Sequence, residues 1–349
     1  MLTSALAVAM TTQALNGELS VPEHGFVTVP LSRLSWQGAE GGPRTAQIRL
    51  AAATPVTEAI ASWTARAPRG GQIEIRAGRP GGRAYSFGRW SESAGRTSVK
   101  GQKDAEGDMQ TDTLVLAEPT RELDVTITLT GPVQLRDLHV VLNGALTPDT
   151  LPANKAAWGL TLEPPRRAQM SYPNGGVLCS PTSISMVLGY WAQVLGRPEL
   201  DADVPEVQQA VFDPGWGGTG NWPFNVAFGG SRSGLTGAVT RLRGIADAER
   251  FLLRGIPVVC SVRYALLKGQ PKAERGDGHL VVLVGFTPEG DPIFNDPGRN
   301  IVRLTYKRDD FRRAWEGSGR TVYLVYPRYW ATPAENGPWP RRRSEQILP

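Results

Sequence analysis

The sequence predicts an all-β sandwich of jelly-roll type followed by an α+β domain, and three observations carry that expectation. Between Val21 and Asn143 apolar and polar residues alternate between turn clusters, with no helical period to interrupt them. Behind Cys179 a single apolar stripe runs at helical spacing. Further on, two apolar runs that flank a tight turn read as a hairpin opening at His279.

Bulk composition bounds the rest. At 349 residues the chain is long for one core, and two domains are the default expectation. A hydrophobic content of 40% with 20% charged residues describes an ordinary globular protein, and 40 Gly with 28 Pro go with many turns and a substantial β portion. The net charge of +5 is modest and mostly interleaved. Only Arg341-Arg342-Arg343 forms a basic run, and no Lys/Arg stripe with aromatics appears, so nucleic acid is not an expected partner. No apolar stretch of about eighteen residues exists, and no transmembrane segment is predicted. Two cysteines and three scattered histidines make neither a disulfide framework nor a zinc site; no metal and no cofactor is implied. Residues 1–10 read as a short apolar h-region with Thr12-Gln13-Ala14 as a cleavage site, though without a positive n-region. A secreted or cell-envelope location is the expectation, a cytoplasmic one the alternative.

In the first domain, Ile48 and Leu50, Ile73 and Ile75, and Val125, Ile127 and Leu129 alternate with polar residues as half-buried strands do. Gly41-Gly42-Pro43, Arg69-Gly70-Gly71 and Gly78-Arg79-Pro80-Gly81-Gly82 separate them. An antiparallel sandwich follows naturally. Trp36, Trp63, Tyr85, Phe87 and Trp90 are candidates for a face that binds cell-wall glycan, against the plainer expectation of core and edge packing. His24 falls in a loop and His139 in a strand whose Leu138 and Val140 take the opposite face; both are expected at the surface.

Pro148, Pro152, Pro164 and Pro165 mark a linker. The chain thus divides into a leader at 1–20, a sandwich at 21–145, the linker at 146–165, a second domain at 166–330 and a Pro/Arg-rich tail at 331–349. In the second domain Pro181 suits a first helical turn, where its missing N–H costs nothing. Ile184, Val187, Leu188, Trp191 and Leu195 make the stripe of a helix that ends near Gly196-Arg197-Pro198. Asp213 to Asn225 is a long Gly/Trp-rich loop, with Trp216 and Trp222 expected beside a cleft. Asp247 is the predicted N-cap of a short helix running to Leu253, and Ile256 to Val262 a buried strand in which Cys260 is inert. The hairpin runs from Asp277 to Phe286, turns at Pro288-Glu289-Gly290 and returns through Asp291 to Pro297. Strands at 301–306 and 321–326, with a helix at 309–315 between them, complete the sheet.

Cys179 therefore sits at a helix start, beside unpaired N–H groups and the positive end of the dipole, a setting that stabilises a thiolate. A thiol nucleophile needs a base and a third group to orient that base. His279, the only histidine of the second domain, opens the first hairpin strand, and Asn295 or Asp296 at the end of the second strand reaches its ring. An oxyanion calls for the Cys179 N–H and a side-chain amide upstream, Gln169 or Asn174.

The segment from Gln169 to Trp191, with its Cys-Ser-Pro-Thr-Ser block, and the stretch Gly278-His279-Leu280-Val281-Val282-Leu283-Val284-Gly285-Phe286 with Asn295-Asp296-Pro297 resemble the C39-like family of papain-fold cysteine peptidases. The resemblance covers about half the chain, from Arg166 to Pro327. It implies Cys179 as nucleophile, His279 as base, Asp296 as the orienting acid and Gln169 as oxyanion donor. It also implies a papain-like fold, a central helix on an antiparallel sheet with the site in the cleft between them. The chain departs from the family in three ways: Ser180 stands where many members have Gly, Gln169 lies further from the cysteine than in compact members, and no transporter segments accompany the domain. The N-terminal sandwich lies outside the resemblance.

The function expected is thiol-dependent hydrolysis of an amide bond in a peptide or protein substrate, with Trp216, Trp222 and Asn174 near that substrate. Two other readings stand beside it: transglutaminase-like acyl transfer to an amine, and a catalytically silent cell-surface protein whose sandwich binds glycan.

Overall fold

A computed structural model describes residues 17–39, 42–93, 95–334 and 336–340. Most of the predicted leader, the Gly41 turn position and the Arg341-Arg342-Arg343 run lie outside the described residues. No helix among the described residues is long and apolar enough to cross a membrane.

The first half contains β1 (Glu18–Val21), β2 (Phe26–Thr28), β3 (Arg44–Arg66), β4 (Gln72–Gly78), β5 (Tyr85–Trp90), β6 (Gly107–Gln110), β7 (Thr113–Thr130) and β8 (Gln134–Asn143). They form one eight-stranded sheet in the order β2-β8-β3-β7-β4-β5, with β1 beside β3 and β6 beside β7. All pairings are antiparallel except β1 with β3. In place of the two sheets of the expected jelly-roll sandwich, the strands form one hydrogen-bonded network, because β3 and β7 run through 23 and 18 residues. Their mutual register breaks between Ala51 and Glu58. Pro55 falls inside that break and Pro119 beside it on the partner strand. A proline cannot donate to the ladder, so the long strands bend there rather than end.

Inside this bent sheet Ile48, Leu50, Trp63, Ile73, Ile75, Phe87, Trp90, Val125 and Ile127 are buried. Tyr85 is buried with them, so four of the five aromatics proposed for a glycan face are core residues; Trp36 is half-buried beneath Arg44, 5.7 Å from its ring. His139 is a second correction. It is fully buried, bonded to the Thr28 hydroxyl at 3.0 Å and stacked on Phe26, because the second half of the chain covers that part of β8. His24 is half-buried in the turn before β2, where its Nδ1 accepts the Phe26 N–H at 3.3 Å.

The second half contains α1 (Cys179–Leu195), α2 (Val204–Val211), α3 (Trp222–Ser231), β9 (Leu235–Arg241), α4 (Ile245–Leu253), β10 (Val258–Arg263), α5 (Tyr264–Leu267), β11 (Gly278–Phe286), β12 (Pro292–Asn295), β13 (Arg303–Thr305), α6 (Arg308–Glu316) and β14 (Thr321–Pro327). The strands form a six-stranded antiparallel sheet in the order β13-β12-β11-β10-β14-β9. Helix α1 is buried on every side from Ser180 to Ala192, and Gly196 stops it in a left-handed conformation, φ 62°, that glycine adopts without strain. Small serines let α1 approach the sheet closely: Ser183 Oγ donates to the Leu280 carbonyl at 3.3 Å, and Ser180 Oγ shares a 3.0 Å hydrogen bond with the Tyr323 hydroxyl. Trp191 Nε1 donates to Val325 O at 2.7 Å.

Helix α4 starts at Ile245, ahead of its predicted cap. Asp247 lies inside the first turn instead, where its carboxylate accepts the Arg243 backbone N–H at 3.0 Å and pairs with the Arg243 and Arg250 side chains. The stretch read as linker pairs with the sheet in its second part: Leu162 N–H donates to Val284 O at 2.7 Å and Gly159 N–H to Phe286 O at 2.9 Å.

The two halves share a core. Phe224 and Ala227 of α3 pack among the side chains of the first half, while Ile60, Val141 and Phe26 pack among those of the second. Trp63 meets Phe224 edge-on at 6.4 Å, Ser62 Oγ accepts the Val239 N–H at 3.0 Å, and Arg328 pairs with Asp137 at 2.8 Å.

Candidate active site

Cys179 is the first residue of α1, reached through a tight turn at Gly175–Val177. No side chain caps this helix, so its first N–H groups remain available to a negative charge. The thiol is half-buried. Burial pushes its pKa up, but the hydrogen bond and charge of His279, with backbone N–H bonds from Leu280 and Ser180, outweigh that and hold it below the ordinary thiol value.

His279 is the second residue of β11 and is buried against Val262 of β10 across the ladder. Its Nε2 lies 2.8 Å from Asp296 Oδ1. With Nε2 committed to the carboxylate, Nδ1 is the ring nitrogen left to the thiol. Burial disfavours the imidazolium, yet the bonds to Asp296 and Cys179 prevail and raise its pKa to about 9. The lowered thiol and raised imidazole describe one coupled pair, a thiolate beside an imidazolium.

Asp296 follows the last residue of β12 and is fully buried. Its Oδ1 also accepts the Gly298 N–H at 2.9 Å, and its Oδ2 accepts the Tyr264 hydroxyl at 3.0 Å and the Tyr306 hydroxyl at 2.5 Å. Burial pushes the carboxyl up, and these donors, His279 first, bring it below its usual range. Asn295 faces elsewhere: its Nδ2 donates to Pro164 O at 3.2 Å and its Oδ1 accepts from Arg303 Nε at 3.0 Å. Of the two candidates left open at the strand end, Asp296 is the one beside His279.

Gln169 is buried in a short turn, its N–H donating to Pro297 O at 2.8 Å and its Nε2 to Gly175 O at 2.7 Å. These bonds tie it both to the Asp296 loop and to the approach to Cys179. Asn174 is exposed in a left-handed conformation, φ 58°, outside the lining of the cleft.

Cys179 opens onto a cavity of about 1340 Å³ between the two halves of the chain. Trp216 and Trp222 both line it. Their loop is held by the buried Asp213, whose Oδ1 accepts the Ser98, Gly215 and Trp216 N–H groups while Oδ2 accepts from Asn221 Nδ2. Asn221 in turn caps α3 by accepting the Phe224 N–H.

Tyr264 and Tyr306 are the residues that sequence reasoning missed. Tyr264 packs on the His279 ring at 4.1 Å between centroids, and both hydroxyls close the outer side of Asp296. They arrive from a short helix and a strand end, and no motif marks them. Cys260 sits fully buried in β10 with its thiol pushed well up by burial, away from the Cys179 site's chemistry.

Residues 161–323 match the model of the Peptidase_C39 like family, and residues 43–144 match a model described as the Peptidase C39 N-terminal domain. Among solved structures, a protein described as a C39-like peptidase from Bacillus anthracis is similar at 16% identity and a TM-score of 0.38, over 48% of this chain and 96% of that one. A tryptic core variant of Cry1Da from Bacillus thuringiensis is similar at 10% identity and a TM-score of 0.22, over 37% of this chain and 25% of that one. Neither likeness bears on the site. No curated protein matches the chain.

Proposed function

Because residues 161–323 of the chain carry a C39-like peptidase domain, we propose that it is a cysteine peptidase in which Cys179, His279 and Asp296 act as nucleophile, base and orienting acid. The observation that carries this reading is the His279 ring held between Asp296 on Nε2 and the thiol on its other side. The papain-like arrangement belongs to the same proposal, with α1 packed on an antiparallel sheet and the thiol at its start.

In the reaction the Cys179 thiolate attacks the substrate carbonyl carbon, forming a C–S bond as the carbonyl electron pair moves to oxygen. The Cys179 N–H and the second amide hydrogen of Gln169 hold that oxyanion. As it collapses, the C–N bond breaks and the His279 imidazolium gives its proton to the leaving amine. A water molecule then loses its proton to His279 and attacks the thioester; the C–S bond breaks and the thiolate returns. Asp296 keeps the ring oriented and favours its charged form throughout.

The test is the rate of iodoacetamide labelling of Cys179 between pH 5 and 9, followed by mass spectrometry with Cys260 as internal reference. Cys179 labels rapidly well below the ordinary thiol pKa of about 8.5 and slows in His279→Ala, while Cys260 stays unlabelled in the folded protein. Labelling of Cys179 at the pace of an ordinary thiol would sink the proposal.

A further inference from the structure

We propose that Asp112, on the turn between β6 and β7, recognises a positively charged side chain of the peptide substrate, so that the first half of the chain sets the specificity of the cleft. The proposal rests on the peptidase reading above. The turn from Gln110 to Thr113 forms part of the wall of the same cavity that exposes Cys179. Asp112 is only 6% exposed there. Its Oδ2 accepts the Trp222 N–H at 2.8 Å and its Oδ1 the Thr113 hydroxyl at 3.2 Å. Its own backbone N–H is a third donor; a carboxylate offers about four acceptor positions, and three neutral donors bring it no positive charge.

No cation among the described residues pairs with Asp112. Its charged neighbour is Arg241 on β9, which is itself bound to Glu58 of β3. Glu58, Arg241 and Asp112 thus form a group of net charge −1 when all are ionised. Arg263 and Arg320, which also line the cavity, are taken by Asp277 and Glu316. Burial pushes the Asp112 carboxyl up to about 7, and Arg241, bound to Glu58, offsets little of that. A lysine or arginine side chain entering the cleft supplies a counterion, and Trp222 beside it offers an aromatic surface for the aliphatic stem.

The backbone points the same way. Thr111, next to Asp112, has φ 62°, a conformation that a β-branched residue rarely adopts. Such outliers persist where surrounding structure holds them and cluster at ligand sites. Here the turn carries Asp112 onto the Trp222 N–H at the start of α3, in the other half of the chain.

The experiment uses peptidyl chloromethyl ketones that differ only in lysine or norleucine at one of the three positions before the reactive group. The rate of Cys179 modification is followed by mass spectrometry, with iodoacetamide as the reference reagent. At one position the lysine reagent reacts at least tenfold faster than its norleucine twin with the wild type. In Asp112→Asn that ratio falls below twofold while iodoacetamide labelling is unchanged. Equal rates for lysine and norleucine at all three positions in the wild type overturn the proposal without any variant, and so does a ratio that survives in Asp112→Asn. Slow iodoacetamide labelling of wild-type Cys179 is a different failure, which removes the peptidase reading and this proposal with it.

Discussion

Replacing Asp296 by Asn separates charge from shape at the His279 ring. The amide keeps an oxygen that can accept the Nε2 proton at the 2.8 Å contact, but it removes the negative charge that offsets the burial of the imidazolium. His279 stands at about 9 with Asp296 in place, and its ordinary value is about 6.5. At pH 8 a base of pKa about 9 is roughly 90% protonated, and one of pKa about 6.5 roughly 3% protonated. The imidazolium that must protonate the leaving amine therefore falls, by about 30-fold where the ring returns to its ordinary value, with Cys179 still holding the ring up and burial still pushing it down. Because activity is lost as pH rises through the His279 pKa, the alkaline limb of kcat/KM moves down from near pH 9 toward pH 6.5. The assay is the pH profile of kcat/KM on a fluorogenic peptide for wild type and Asp296→Asn, from pH 5 to 10. An alkaline limb that stays in place in the variant refutes the assignment of that limb to a carboxylate-supported imidazolium.

Three further outcomes are expected. Gln169→Ala lowers kcat by about 10²- to 10³-fold while leaving iodoacetamide labelling of Cys179 at the wild-type rate, since the oxyanion exists only in the acylation and deacylation steps; stopped-flow and labelling measurements together check this. In Gly298→Ala the new Cβ would stand 3.1 Å from His279 Cε1 and Nε2 and 3.2 Å from Asp296 Oδ1, displacing the pair, so kcat falls with little change in KM and the loss shows in steady-state kinetics. Asp112 has a folded-state pKa of about 7, above its unfolded value of about 3.9, so its contribution to stability is present below pH 4 and lost as pH rises through 7. Asp112→Asn therefore raises the melting temperature at pH 8 relative to wild type and loses that advantage at pH 4.5, as calorimetry at the two pH values would show.

What the sequence made legible were the elements with strong punctuation. Pro181 and Gly196 bracket α1, and the turn at Pro288-Glu289-Gly290 sets the hairpin that joins His279 to Asp296. The start of α3, Trp222 to Asn225, falls within the expected loop, because the helix is buried on nearly every side. A helix clasped between two halves of a molecule has no solvent face to create a period. The burial of His139 is equally illegible locally, since the covering layer comes from β9, far along the chain. The length of β3 and β7 is hidden in the sequence, since Pro55 and Pro119 would ordinarily break a strand, whereas here they sit at a bend within a continuous ladder. Adjacent residues at a strand end, Asn295 and Asp296, differ only by which way the chain turns after the ladder stops, and that depends on the Asp296 N–H bond to Val302. The tyrosines on Asp296 are set by tertiary contact alone.

The sharing of one core by the two halves limits how substrate gains entry. Phe224 and Ala227 are anchored in the first half and Val226 and Phe228 in the second, all on one turn and a half of α3. Swinging the halves apart would tear a single helix out of one of two apolar interiors, so the shared core opposes any widening of the cleft. For the peptidase proposed above, a substrate then meets the thiol as an extended segment in a cavity whose lining includes Trp216 and the β6–β7 turn. On that reading, the choice of target is governed as much by where a substrate is locally unfolded as by which residues it presents.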